Sequence, residues 1–343
     1  MKNRLRKLIF WLLPIVILYL VFKKIDVELL RENLKLIDLK WLLIALLMHP
    51  ALIILGAMRW NYQLAYYRVN ERQKFSKVLK LYWAGMPIVM LFPSGLGWDA
   101  FRIIKTSSRI EDYALNSGVI LLEKMATLVA AMLVVVLAFP FASNLAESAI
   151  LQQVFDLVFL LLFFALGTSV LVLAFSHSKA LMNWRSSFKS FVIRAGQPMI
   201  RKIAPSQDRS RISESARYLV RPFTAPRIVT NVLLFSIGMQ VTFVLGAYFA
   251  FLAAAFQVPF FVTLLVIPII FLAILVPVTV GGMGVREASY VLLFSQFGVP
   301  AETALIASFV AFLSMIVSYF IGILLWFLSP QTSDGQVNQN MDT

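Results

Sequence analysis

Apolar residues in this chain run in long, nearly unbroken stretches at about 8–22, 41–58, 114–140, 151–175, 228–256 and 302–328. Each is long enough, or nearly so, to cross a bilayer as a helix. Two more apolar stretches, at about 78–98 and 259–298, are interrupted by glycine and proline. A break at membrane depth frees backbone groups that lipid cannot satisfy, so it must be buried in protein or line a wet cavity. Each interrupted stretch therefore predicts a re-entrant hairpin of two half-helices. The fold expected is an all-α polytopic membrane protein with about six full transmembrane helices and two re-entrant helical hairpins.

The two breaks share a pattern, Pro-x3-Gly-x4-Arg. It reads Pro93, Gly97, Arg102 in LFPSGLGWDAFR, and Pro277, Gly281, Arg286 in LVPVTVGGMGVRE. Every member of the second copy lies 184 residues after its counterpart. Paired glycine- and proline-interrupted segments in two halves of a chain point to a transporter's binding site. Weaker echoes flank them: LeuGlyAla at 55–57 recurs at 245–247, and AlaLeu at 114–115 recurs at 304–305, both 190 residues on. The domain reading is a single integral membrane unit over 1–329. Repeat one covers about 41–140 and repeat two about 228–329; a helix at 151–175 and a basic segment at 179–227 join them. The tail at 330–343, rich in Gln, Asn, Ser and Asp, reads as disordered.

Composition agrees, with 60% hydrophobic and 14% charged residues and a mean hydropathy of +0.83, far from a soluble domain. The first run, Leu8 to Phe22, ends at Lys23 and Lys24 without a small-residue cleavage site, so it reads as a retained helix. The net charge of +14 follows topology. Four positive residues precede residue 8, six lie from Arg59 to Lys80, three at Arg102, Lys105 and Arg109, and eleven from Lys179 to Arg227. Segments on the other side hold five from Lys23 to Lys40, offset by Asp26, Glu28, Glu32 and Asp38, and only Arg286 from 257 to 301. Basic loops favour the cytoplasm, so both termini are expected there, in a bacterial or archaeal plasma membrane, with the two halves inverted. The segment at 179–227 suits an anionic leaflet; no recognition motif supports nucleic acid. Cysteine is absent and His49 and His177 are the only histidines, so no disulfide, metal site or cofactor is expected.

After each glycine the chain is expected to restart as a helix, Trp98 to Ser108 and Met283 to Phe297. Backbone N–H groups at a helix start attract anions, and an arginine one turn in adds a planar fork suited to phosphate. Charged residues at membrane depth usually face a cavity or a partner. Here they are Asp99, Arg102, Glu123, Lys124, Asp156, Arg286 and Glu287. Glu123 is expected to balance Arg102 or Arg286, or to meet a cationic group on a substrate; a packing ion pair is the competing reading. Asp99 and Glu287 also suit helix capping, and Asp156 an interfacial position. Arg59 and Trp60 read as an interfacial anchor closing the helix at 41–58. The candidate substrate-binding set is Gly97, Asp99, Arg102, Glu123, Lys124, Gly281, Gly282, Arg286 and Glu287, with no catalytic residue.

AMRW at 57–60, the Pro93–Arg102 segment, LLEKMATL at 121–128 and PVTVGGMGVRE at 277–287 resemble the membrane flippase module of the lysylphosphatidylglycerol synthases, the multiple peptide resistance factors. The resemblance covers nearly the whole chain and implies a lipid-translocating domain, with Asp99, Arg102, Glu123, Arg286 and Glu287 in its motifs. Gly97-Trp98 departs from the family's paired glycines, and Glu123-Lys124 from its usual Glu-Arg. The aminoacyl-transfer domain that many members carry has no counterpart here, so lysyl transfer is not expected. The function expected is a carrier that moves an anionic or aminoacylated phospholipid, or a polyprenyl-phosphate lipid, between leaflets. A membrane glycosyl- or group-transferase acting on such a lipid, and a lipid-binding scaffold, remain alternatives, and homodimerisation stays open.

Overall fold

A computed structural model of the chain describes Pro14 and residues 16–23, 25–67, 74–90, 96–107, 109–142, 149–174, 217–275 and 282–328. Among these residues the regular structure is helical, without strands. After a helical stretch at 16–22 come α1 (Val27–Lys35), α2 (Leu39–Tyr67), α3 (Phe75–Ala84), a 3-10 turn (Met86–Met90), α4 (Leu96–Thr106), α5 (Ile110–Ala142) and α6 (Ala149–Ala174). A 3-10 turn (Arg221–Thr224), α7 (Pro226–Ala253), α8 (Phe260–Ile274), α9 (Val285–Ser295) and α10 (Ala301–Leu328) follow. Among the described residues, four helices are long and apolar enough to cross a membrane: Leu39–Tyr67, Glu111–Ala142, Pro226–Ala253 and Ala301–Leu328. The first, with 29 residues, is about 43 Å long at 1.5 Å per residue. The motif's Pro93, Pro277 and Gly281, most of the basic segment and the tail at 330–343 lie outside the described residues.

The order of elements repeats. A long helix, two short helices and a second long helix appear as α2–α5 and again as α7–α10. Packing repeats as well: α3 lies against α10 as α8 lies against α5, and α2 lies against α10 as α7 lies against α5. The helices that lead the two series, α2 and α7, pack on each other. They run antiparallel. Trp41 stacks on Phe249 with ring centroids 5.6 Å apart, Arg59 donates to Ser236 at 2.8 Å, and Asn231 donates to the Tyr62 hydroxyl at 3.2 Å. Between them Gly246 allows a close approach, since a Cβ there would sit 3.2 Å from the Met48 side chain.

Each end of the bundle is tied by specific groups. At one end Asp26 caps α1 through Glu28 and Leu29, its own N–H donates to Glu302 at 3.0 Å, and the Asp38 N–H donates to the Ala253 carbonyl at 2.9 Å. Of the charged stretch from Lys23 to Lys40, Glu28, Arg31, Glu32 and Lys35 thus lie on a short amphipathic helix. At the other end the Arg221 guanidinium lies 5.4 Å from the Tyr67 ring centroid, and residue 118 of α5 meets the backbone of Leu219.

Proline shapes α2 in its interior. Pro50 has no N–H, which leaves the carbonyl four residues before it without its helical donor. That carbonyl belongs to Leu46, and it accepts from the Ser314 hydroxyl of α10 at 2.9 Å. The His49 N–H in turn donates to the same hydroxyl oxygen at 3.2 Å. One serine from the second series therefore repairs a break in the first.

Candidate functional site

Glu123 of α5 sits at the centre of a buried ionic cluster. Its Oε2 accepts from Arg102 Nη1 at 2.9 Å and lies 3.5 Å from Arg59 Nη2, while Oε1 accepts from Gln63 Nε2 at 2.8 Å. Arg102 also donates from Nη2 to Asp99 at 3.0 Å, three residues back on α4, and Asp99 pairs with Lys124 at 2.6 Å. Arg59 donates to the Thr127 and Ser236 hydroxyls at 2.9 and 2.8 Å. Both hydroxyls spend their hydrogen on the carbonyl four residues before them, Glu123 and Val232, and so present lone pairs to the guanidinium. The cluster joins α2, α4, α5 and α7. Arg59, Gln63, Asp99, Arg102 and Glu123 are all buried, and only Lys124 reaches the surface.

An aromatic box completes the site. The Arg102 guanidinium lies 4.4 Å from the Trp98 ring centroid, 5.2 Å from Tyr82 and 5.3 Å from Trp60. Such contacts strengthen when desolvated. Three cations, Arg59, Arg102 and Lys124, face two carboxylates, Asp99 and Glu123, so one positive charge is in excess. Among the described residues, Arg59 Nε, Arg102 Nε and Trp60 Nε1 are buried without a hydrogen-bond partner. Buried donors are normally satisfied, so these three on neighbouring side chains stand out, beside the equally unpartnered acceptor Gln63 Oε1 of the same network.

The second motif copy builds a smaller group. Gly282 and Gly284 have φ of +74° and +80°, a conformation that glycine adopts freely and other residues do not. They turn the chain into α9, where the Glu287 carboxylate accepts the Gly284 N–H at 2.7 Å. Glu287 also pairs with its neighbour Arg286, whose guanidinium lies 4.5 Å from the Phe312 ring centroid. Arg286 and Glu287 are both buried.

The nine sequence candidates thus fall into two groups. Asp99, Arg102, Glu123 and Lys124 share one network; Gly97 lies in the first turn of α4 beside it. Gly282, Arg286 and Glu287 form the other, and Gly281 lies outside the described residues. Arg102 and Arg286 share no partner among the described residues, so Glu123 balances the first arginine and not the second. Glu287 caps its helix start, whereas Asp99 is committed to Arg102 and Lys124. Asp156 accepts from Gln152 on the exposed surface of α6. Arg59 and Trp60 correct the interfacial expectation: α2 continues to Tyr67, and both are buried, at 5% and 1% exposure. Arg59 and Gln63, one turn apart on α2, both turn into the protein interior. Gln63, one turn beyond Arg59, was the sequence signal for this face.

Among the described residues the fold is all-helical, with four helices long and apolar enough to cross a membrane, and it fits an integral membrane protein. The chain belongs to the family described as the lysylphosphatidylglycerol synthase TM region, whose model matches residues 6–325. That membership ties it to membrane-lipid function. It is similar to the UPF0104 membrane protein PH1989 of Pyrococcus horikoshii, at 24% identity over 302 residues, covering 84% of this chain and 85% of that protein. No solved structure matches it.

Proposed function

We propose that this protein is a lipid carrier that moves a phosphate-bearing phospholipid or polyprenyl-phosphate lipid between leaflets, with the head group passing through the polar interior. The observation that carries this reading is the set of unpartnered donors on Arg59, Trp60 and Arg102 in a buried cluster with excess positive charge. A phosphate or phosphodiester oxygen satisfies such donors and balances the charge. Arg102 holds its carboxylates in the absence of substrate and turns part of its fork to the incoming anion.

The antiparallel packing of α2 on α7 and the exchange-symmetric packing of the short helices support two inverted halves. Two such halves supply alternating access by rocking about a fixed interior site. On this reading the short-helix pairs are re-entrant hairpins entering from opposite sides, and the basic stretches at 68–80 and 179–227 face the cytoplasm. The Arg286 group is the counterpart of the Arg102 site in the other leaflet half. It differs in having its countercharge on the adjacent residue, so the two ends of the path hold an anion unequally.

Fluorescent phospholipids in proteoliposomes, with leaflet exposure read by dithionite quenching, test the proposal. Arg102→Ala and Arg286→Ala, both folded, are expected to slow movement at least tenfold, roughly the loss of one charge-assisted hydrogen bond. Native-rate movement in both would remove the arginines from the path. Chemical conversion of the lipid, in place of movement, would make the protein a transferase.

A further inference from the structure

Among the described residues, one member of the Glu123 ionic cluster reaches the surface. The Lys124 side chain is 45% exposed, while Arg59, Gln63, Asp99, Arg102 and Glu123 are buried. Lys124 stands near the middle of α5, a helix long and apolar enough to cross a membrane. Its neighbours on the same helix face, Leu121 and Met125, are 46% and 52% exposed. Large apolar side chains exposed on such a helix suit acyl chains, and an ammonium between them is costly unless it meets a partner or a polar opening.

The partner is Asp99, and the way it is shared makes the contact exchangeable. Asp99 Oδ1 accepts from Arg102 Nη2 at 3.0 Å, while Oδ2 lies 2.6 Å from the Lys124 ammonium. The second contact is an ion pair without an aligned hydrogen bond, a looser link than those that hold Arg102. An anion that takes the ammonium leaves Asp99 on Arg102, so the exchange strands no carboxylate. The cluster's one excess positive charge draws such an anion inward, and Arg102, bound to the same Asp99, is the next cation it meets.

The second motif copy is built differently. Arg286 and Glu287 are both buried, and no exposed lysine stands beside them as Lys124 stands beside Glu123. The first helical stretch also lies over the turn before them. A Cβ on Gly284 would sit 3.0 Å from the Pro14 carbonyl oxygen and 3.2 Å from the Ile17 side chain.

We propose that the face of α5 at Lys124 is a lateral entrance to the ionic cluster, where the phosphate of a bilayer lipid replaces Asp99 on the lysine ammonium before it reaches Arg102, while the acyl chains stay outside against Leu121 and Met125. The inference rests on the carrier reading and deepens it: the head group enters sideways from the bilayer at the first motif copy, and Lys124 is its first contact.

Movement of fluorescent phosphatidylglycerol in phosphatidylcholine proteoliposomes, measured against its mole fraction, tests the entrance. Lys124→Met removes the charge and keeps an apolar stem between Leu121 and Met125. It is expected to raise the half-saturating fraction about tenfold, roughly the loss of one charge-assisted contact, and to change the maximal rate less. Lys124→Arg is expected to restore the native value. A Lys124→Met protein that moves lipid with native half-saturation overturns the entrance and spares the carrier. Inorganic phosphate, added at constant ionic strength, is expected to leave the native value unchanged; competition by it would open the site to water and overturn the lateral route. The native chain supplies a second measurement, with phosphatidylglycerol that carries a diazirine on its head group. Photolysis is expected to label α5 between Leu121 and Met125, in competition with phosphatidylglycerol and not with phosphatidylcholine. Label confined to other segments, or displaced equally by both lipids, overturns the proposal. Specific label there in a protein that moves no lipid keeps the entrance as a binding site and removes the carrier.

Discussion

Replacing Glu123 by alanine is expected to destabilise the protein more than any other single substitution in the ionic cluster. The carboxylate is the shared acceptor of Arg102, Arg59 and Gln63, and its loss leaves two guanidinium groups buried with like charges facing one another. Breaking a buried pair by removing one partner costs about 3–5 kcal/mol. Arg102→Ala is expected to cost less, because Glu123 keeps Arg59 and Gln63, and Asp99 keeps Lys124 at 2.6 Å. Thermal unfolding of the purified proteins in one detergent gives the order directly. A Glu123→Ala protein as stable as Arg102→Ala would mean that Glu123 is not the hub of the network.

The second large effect is expected at Gly118. A Cβ placed there would lie 2.1 Å from the Leu219 carbonyl oxygen, which is backbone and cannot rotate aside. Accommodating it forces α5 away from the segment that leads into α7, and overpacking of this kind costs about 3 kcal/mol at the upper end of its usual range. Gly238→Ala provides the contrast. No atom lies within 4 Å of its would-be Cβ, and alanine gains up to about 1 kcal/mol of helix propensity over glycine. The two substitutions are expected to shift the unfolding temperature in opposite directions, and a shared direction would contradict the close approach of Leu219 to α5.

Long helices were legible because lipid-facing runs are apolar on all sides and have no competing explanation. The short helices α4 and α9 were legible through the interruption before them: the Gly97 and Arg102 spacing recurs at Gly281 and Arg286, and both helices begin within two residues of the expected starts. What hydropathy misplaced was polar residues turned inward. Arg59 reads as a membrane boundary on any scale that prices charge against lipid, yet its partners Thr127 and Ser236 are brought to it by helices far away in sequence. The aromatic box was likewise hidden, since Trp60, Tyr82 and Trp98 are ordinary membrane residues until packing places them around one guanidinium. Ser314 could not be matched to Pro50 from sequence for the same reason. Separation of the Arg102 and Arg286 groups was equally out of reach, because spacing along a chain does not report depth across a fold.

Buried ion pairs can exist for packing alone, and the central claim is that this one exists for a lipid head group. The double substitution Arg102→Met with Glu123→Met tests it most directly. Swapping a buried pair for apolar side chains of similar volume is often neutral or stabilising, while Arg59 keeps Thr127 and Ser236, and Asp99 keeps Lys124. Arg59 loses its carboxylate partner, so the double variant is expected to unfold below the native temperature but above Glu123→Ala, which strands Arg102 as well, and to have lost transbilayer lipid movement in proteoliposomes. A folded double variant that moves lipid at the native rate would show the cluster to be structural and contradict the account.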